Sequence, residues 1–259
     1  MADLSEYHPL SRFTGLADGY AKYRPSYPAP ALDFILAHCG LGRESLLVDV
    51  GCGTGIAARL FMGRGVAVIG IEPNEEMRAK AETEPALPGY PAIVYRPGRA
   101  EATNLASGVA DAVVAAQAFH WFEPAGALRE FHRILKPNGW AVLLWNERDE
   151  SDPFTADYGK VIRSTPEGPR VEQEYGQVGG RLLGSDLFKN GRTEVFPHEQ
   201  SLDQEALLGR AFSASYAPRE PAEAERFAAA LRDVFDQYQQ GGFVRLKYLT
   251  TVPLAQRRS

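Results

Sequence analysis

The stretch LLVDVGCGTGIAARL, Leu46 to Leu60, constrains this chain more than any other. An apolar run holding one acid, Asp49, breaks into Gly51, Gly53 and Gly55. Apolar residues then resume at helical spacing. The first part is compatible with a short buried strand. The second, with Ile56, Leu60 and Phe61 on one face and Gly63 and Gly65 closing it, reads as a helix. A strand-to-helix turn needs about one glycine. Glycine permits positive φ and removes the Cβ, so three of them imply a ligand lying against this backbone.

The rest of the first half repeats the pattern. "ALDFILAHCG" reads as a helix with Pro30 in its first turn and Gly40 at its end. "VAVIGIEPN" is a second strand, and "NEEMRAKAETE" a helix that Asn74 can cap. "AIVYRPGRAEA" is a weaker third strand and "ADAVVAAQAF" a fourth. "EPAGALREFHRILKPNG" is an amphipathic helix that Lys136 to Gly139 stop, before a fifth strand in "WAVLLWNE". Strands alternating with helices over short links imply a parallel sheet covered on both faces. The rhythm fails after Asn146. Residues 147–190 read as a partly helical insertion or lid within one domain spanning 1–259, and residues 1–30 as a proline-punctuated arm. "RTEVFPHEQSL" and "FVRLKYLTTVPLA" read as two late strands.

Composition closes several alternatives. The 259 residues are 44% hydrophobic and carry a net charge of −5, which suits a globular domain and argues against a duplex nucleic-acid binder. The opening MADLSEYHPLSRF lacks the basic and apolar regions of a secretory signal, and no apolar window reaches membrane-span length. A cytoplasmic protein with no membrane contact is expected, with Cys39 and Cys52 as free thiols. The five histidines form no ligand cluster with the cysteines, so no metal site is expected.

A glycine turn that ends the first strand and opens a helix is where doubly wound sheets bind nucleotide-like ligands. The spacing here is G-x-G-x-G rather than the G-x-G-x-x-G of dinucleotide folds. Glu72 ends the second strand about twenty residues on, the distance expected for an acid that holds ribose hydroxyls.

Together, "VDVGCGTG", "IEPNEEM", "GRAEATNL", "ADAVVAAQAFHW" and "ALREFHRILKPNGWAVLLW" resemble the successive motifs of class I S-adenosylmethionine-dependent methyltransferases, over roughly Asp33 to Trp145. "YAKYRPSYP" and "QAFHWF" resemble the small-molecule branch that contains trans-aconitate methyltransferase. The resemblance implies an α/β fold, a doubly wound seven-stranded sheet of order 3-2-1-4-5-7-6 with strand 7 antiparallel. It also implies helices on both faces, an arm over the cofactor and a lid near the acceptor site. It implies S-adenosyl-L-methionine as methyl donor, S-adenosyl-L-homocysteine as product, and direct displacement onto a small acceptor, anionic or amphipathic in view of Arg24, Arg148 and the aromatic residues.

Roles follow from the donor's parts. Glu72, with Pro73 beside it, faces the ribose diol, or is a solvated strand-end acid. Gly51, Cys52, Gly53 and Gly55 give close backbone approach, and Asp49 organises the loop. Cys52 is small enough for that turn, its other reading being a nucleophile. Met77 lies beside the adenine. Ala100 and Glu101 sit at the adenine's amino edge, unless Glu101 merely opens a helix. Gln117 and Ala118 border the sulfonium. Tyr20 and Arg24, with Tyr23 and Tyr27, fold over the cofactor and can bind its carboxylate. His120 is a candidate general base or a packing residue. Trp121, Asn146, Arg148 and Tyr216, with Ser213 and Ser215, are candidate acceptor contacts. Two other readings use the same sheet: a nicotinamide-dependent oxidoreductase, and a non-catalytic protein that binds the methyl donor.

Overall fold

The computed structural model describes residues 17–83, 89–90, 92–166, 178–214 and 217–259. In chain order the elements are α1 Ala17–Tyr23, α2 Ala29–Cys39, β1 Leu46–Val50, α3 Ile56–Met62, β2 Ala67–Ile71, α4 Glu75–Thr83 and β3 Ile93–Arg96. They continue with β4 Ala110–Ala116, α5 Pro124–Ile134, β5 Leu135–Arg148, α6 Pro153–Arg163 and α7 Val178–Leu183. The last four are β6 Phe188–Leu202, α8 Gln204–Phe212, α9 Pro221–Tyr238 and β7 Val244–Arg257.

The seven strands form one sheet in the order β3-β2-β1-β4-β5-β7-β6. The first five are parallel, and β7 runs antiparallel to both β5 and β6. This is the expected architecture. β1 and β4 lie inside the sheet and are buried on both faces, which is why they read as continuous apolar runs. One face packs Leu47, Val114 and Leu144 against α2 and α3 through Leu32, Ile35 and Phe61. The other packs Val48, Val113 and Leu143 against α5 and α7 through Phe131, Ile134 and Leu182.

Local signals explain the helix ends. Gly40, at φ 65, closes α2 by donating its N–H to Leu36 O. Asn74 caps α4, accepting Met77 N at 3.0 Å. Two boundaries differ from expectation. β5 begins at Leu135, before the Lys-Pro-Asn-Gly stop, because Leu135 pairs with Ala110 and the sheet register is regained only at Trp140 opposite Ala112. β6 begins at Phe188 and not at Arg192.

Glu147 and Arg148 belong to β5, and residues 188–190 to β6, so both ends of the expected 147–190 segment lie in the sheet. Among the described residues, the structure beyond the sheet's crest has a core of its own. Tyr158 and Ile162 of α6, Leu207 and Ala211 of α8, and Phe227 and Leu231 of α9 cluster with Leu246 and Tyr248 of β7.

Candidate active site

The glycine loop is folded around backbone demands. Gly51, Gly53 and Gly55 have φ of 71°, 54° and 79°, all left-handed. Gly51 N and Cys52 N donate to Ile71 O at 2.8 and 3.2 Å, fastening the loop to the end of β2. A Cβ on Gly51 would come within 2.7 Å of Ala118 Cβ and 3.0 Å of Phe122 Cζ, so no larger residue fits. One on Gly55 would overlap the Tyr95 hydroxyl.

Glu72 is bound to this loop. Its Oε2 accepts Gly53 N at 2.9 Å and its Oε1 accepts Asn74 N at 2.8 Å. Each oxygen keeps a second lone pair. Burial raises the carboxyl above the ordinary range, against the two N–H donors and the nearby Arg78.

The crest of the sheet holds two adjoining lobes. The larger, about 700 Å³ with open solvent at its mouth included, runs past Glu72, Pro73, Met77, Ala100, Glu101 and Trp121. Arg99, Ala118 and Phe122 complete that wall. The smaller, about 430 Å³ on the same measure, lies between Arg24, Pro25 and Tyr27 on one side and Cys52, Ile56 and Ala57 on the other. Tyr20, Gly51, Gly53 and Gln117 line both.

The structure thus brings twelve of the expected cofactor contacts to one cleft: Tyr20, Arg24, Gly51, Cys52, Gly53, Glu72, Pro73, Met77, Ala100, Glu101, Gln117 and Ala118, with Tyr27 and Trp121 beside them. Asp49 and Gly55 lie behind it and line neither lobe. Asp49 is fully buried and neither carboxylate oxygen makes a hydrogen bond. Burial pushes it up to about 7; the Ala58 N–H pulls the other way and Glu72 adds to the rise. Cys52 is likewise pushed well above the usual thiol range by burial and by Asp49 and Glu72, which opposes a nucleophile. Glu101 opens no helix: its Oε1 accepts Glu123 N at 2.8 Å, bracing the residue that caps α5.

The expected acceptor contacts scatter. Asn146 lines neither lobe; its Nδ2 donates to Ser26 O at 2.9 Å and its Oδ1 accepts Thr250 Oγ1 at 2.6 Å. It clamps the arm to the sheet. Arg148 also lines neither lobe; its Nε donates to Glu150 Oε1 at 3.4 Å. Trp121 faces the Glu72 lobe. His120 is buried beside the Trp121 and Trp145 rings, at centroid distances of 4.5 and 5.5 Å, and lines neither lobe. Tyr216 and Ser215 lie outside the described residues. Ser213 O accepts Arg24 Nη2 at 3.5 Å. Arg99 and Phe122 were not expected. Both lie inside motifs already legible in the sequence, GRAEATNL and QAFHWF, so their adjacency to the named residues was the available signal.

The Arg24 guanidinium lies over the Tyr20 ring at 4.6 Å, and its buried Nε has no acceptor. The cleft therefore has an anchored carboxylate at one end, the Arg24 side chain at the other, and bare backbone between them.

Comparison with known proteins decides the family. A family described as a methyltransferase domain matches residues 48–143. An uncharacterised methyltransferase of Mycobacterium tuberculosis is 30% identical over 211 residues, 82% of this chain and 79% of its own length. This chain belongs to the class I S-adenosylmethionine-dependent methyltransferases. An uncharacterised methyltransferase-like protein of Schizosaccharomyces pombe is 32% identical over 161 residues, 61% of this chain and 60% of that one. A solved structure from Anaeromyxobacter dehalogenans, provisionally described as a type II methyltransferase, superposes with a TM-score of 0.62 at 22% identity. It covers 91% of this methyltransferase and 98% of its own chain, a likeness of fold. Among the described residues no helix is long and apolar enough to cross a membrane.

Proposed function

We propose that this methyltransferase binds S-adenosylmethionine across both lobes and moves its methyl group to a small-molecule acceptor by direct in-line displacement. The observation that carries the reading is the polarity of the cleft: Glu72 in one lobe and the Arg24 guanidinium in the other, joined by the glycine loop. That order suits a ligand with a sugar diol at one end and a carboxylate at the other. The residues present fit the donor. Glu72 keeps lone pairs for two hydroxyls, Met77 and the Trp121 ring offer apolar contact, and Gly51 and Gly53 admit backbone approach.

When bound, the donor supplies an electrophilic methyl group on a sulfonium. The protein's part is alignment and exclusion of water. Tyr20 and Arg24 cover the donor from the arm, and Asn146 fixes the arm through Ser26 O. His120 packs between two tryptophans and is assigned no proton transfer. An acceptor that is already anionic needs no base. A limb in the pH–rate profile that vanishes in His120→Asn would restore the catalytic role.

Donor carrying a labelled methyl group, incubated with the protein and a fractionated cell extract, tests the acceptor class. Label in the low-mass fraction is the expected result. Label confined to nucleic acid or protein would overturn it. Donor binding without turnover on any fraction would favour the non-catalytic reading.

A further inference from the structure

Asp49 lies behind the cleft and lines neither lobe. It is fully buried, and neither carboxylate oxygen makes a hydrogen bond. It sits inside the sheet, in register with Gly70 of β2 and Val114 of β4, so its strand neighbours bring no polar side chain. The elements packed around it bring weak acids instead. β2 is followed by Glu72, the glycine loop carries Cys52, β3 carries Tyr95 and the arm carries Tyr27. α3 gives the Ala58 N–H. The cations close to those groups are engaged elsewhere. Arg24 lies over the Tyr20 ring, Arg59 donates to Thr54 O at 2.7 Å, and Arg78 donates to Glu72 O at 2.9 Å.

A carboxyl in such surroundings keeps its proton until positive charge arrives. The glycine loop stands between Asp49 and the cleft, but it does not isolate the two electrically. Tyr27 and Cys52 both line the Arg24 lobe; burial raises both groups, and negative charge on Asp49 adds to the rise. Charge that enters this lobe acts back on Asp49 through the same interaction, at low local dielectric. On the function proposed above, on which this inference rests, the ligand brings two cationic groups to the loop, a sulfonium and an ammonium, while Arg24 answers its carboxylate.

We propose that Asp49 is a proton-linked counter-charge for the methyl donor: it is neutral in the free protein and gives up its proton to solvent when a cationic ligand settles on the glycine loop. The negative charge behind the loop then exists only while a cation is there to balance it, and the empty cleft carries no unpaired buried charge. Binding that releases a proton is stronger at higher pH, so donor affinity rises as pH climbs toward neutrality and levels off above it. The thioether product has lost the sulfonium charge and should release fewer protons than the donor.

Calorimetric titration of S-adenosylmethionine in two buffers of different ionisation heat counts the protons released, without knowledge of the acceptor. Near pH 6.5 the wild type should release about half a proton or more per site, and bind roughly three- to tenfold more weakly at about pH 6 than at about pH 7.5. Adenosine carries the sugar diol and neither cationic group, and should release almost none. Asp49→Asn should abolish the release. Heats that do not depend on buffer in the wild type, or release that persists in Asp49→Asn, would overturn the proposal. Release by adenosine equal to that by the donor would assign the proton to Glu72 and overturn it as well. If Asp49→Asn does not fold or bind, nuclear magnetic resonance of wild type labelled with carbon-13 at its aspartate carboxyls decides alone. An aspartate signal that titrates near neutrality and moves to its ionised position on donor binding supports the proposal; no such signal contradicts it. A wild type that binds neither donor nor product would instead overturn the parent reading.

Discussion

Glu72 carries a carboxylate whose two oxygens already take the N–H groups of Gly53 and Asn74. The same pair of bonds fixes the plane in which further hydroxyls can approach. Glu72→Gln replaces one of those acceptors with an amide nitrogen, which faces a backbone donor. Hydrogen bonds to a charged group contribute about 1.5–3 kcal/mol each, so the variant should bind donor roughly ten- to a hundredfold more weakly by calorimetry. Unchanged affinity would remove Glu72 from the site. Asp49 is a different kind of acid, buried and without hydrogen bonds, its carboxyl pushed up to about 7. In the unfolded chain an aspartate ionises near ~4. Between these values the folded protein keeps a proton that the unfolded chain releases, so stability falls as pH rises from about 4 to about 7. Glu72, also raised, adds a slope of the same sign. Asp49→Asn should flatten that fall, giving a higher Tm than wild type above pH 7 and a smaller difference near pH 4. Parallel Tm curves would contradict this account of Asp49.

At the scale of elements, α1 is the strap whose Tyr20 lines both lobes, and its fastening is uneven. Lys22 pairs with Glu205 and Lys80 with Asp18, but these are largely exposed pairs that solvent screens. The firmer attachments are packing and backbone bonds. The Tyr23 ring lies so close to Gly209 of α8 that a Cβ there would come within 2.5 Å of Tyr23 Cδ2, and Gln200 Nε2 donates to Tyr23 O at 3.0 Å. Gly209→Val should displace the strap, costing about 1–3 kcal/mol in denaturant titration and weakening donor binding. Lys80→Ala should leave donor affinity within about twofold. The opposite ranking would mean that charge, not packing, sets the strap. These attachments also show what the sequence could reveal. The strands β1, β4 and β5 were legible because a buried strand is a continuous apolar run. The glycine loop and Glu72 were legible because their spacing is fixed by a single β-α-β unit. Asn146 was not, because its partners Ser26 and Thr250 lie 120 and 104 residues away and only the sheet brings them together. The start of β5 was hidden because Lys136 to Gly139 carry a helix-stop pattern, whereas Leu135 pairs with Ala110.

For the whole molecule, the sheet and the region above its crest have separate cores. The lobes are walled mainly by the ends of β1, β2 and β4 and the arm, while α6, α8 and α9 pack among themselves and on the antiparallel β6–β7 pair. Leu231 is fully buried in that upper core. Leu231→Ala should cost about 2–5 kcal/mol, read by chemical denaturation, with hydrogen exchange faster in α6, α8 and α9 than in β1 and β4. Donor affinity should change little, because the glycine loop rests on the sheet. Equal loosening of both cores would show that they unfold as one unit. The account stands on the claim that the crest of this sheet is shaped to an adenosyl ligand held by Glu72. Calorimetric titration of S-adenosylhomocysteine into wild type and Glu72→Ala tests it most directly. One site per chain in the wild type, with at least a tenfold loss in a variant that remains folded, is the predicted result. Absence of binding to the wild type, or equal affinity in both proteins, would contradict it.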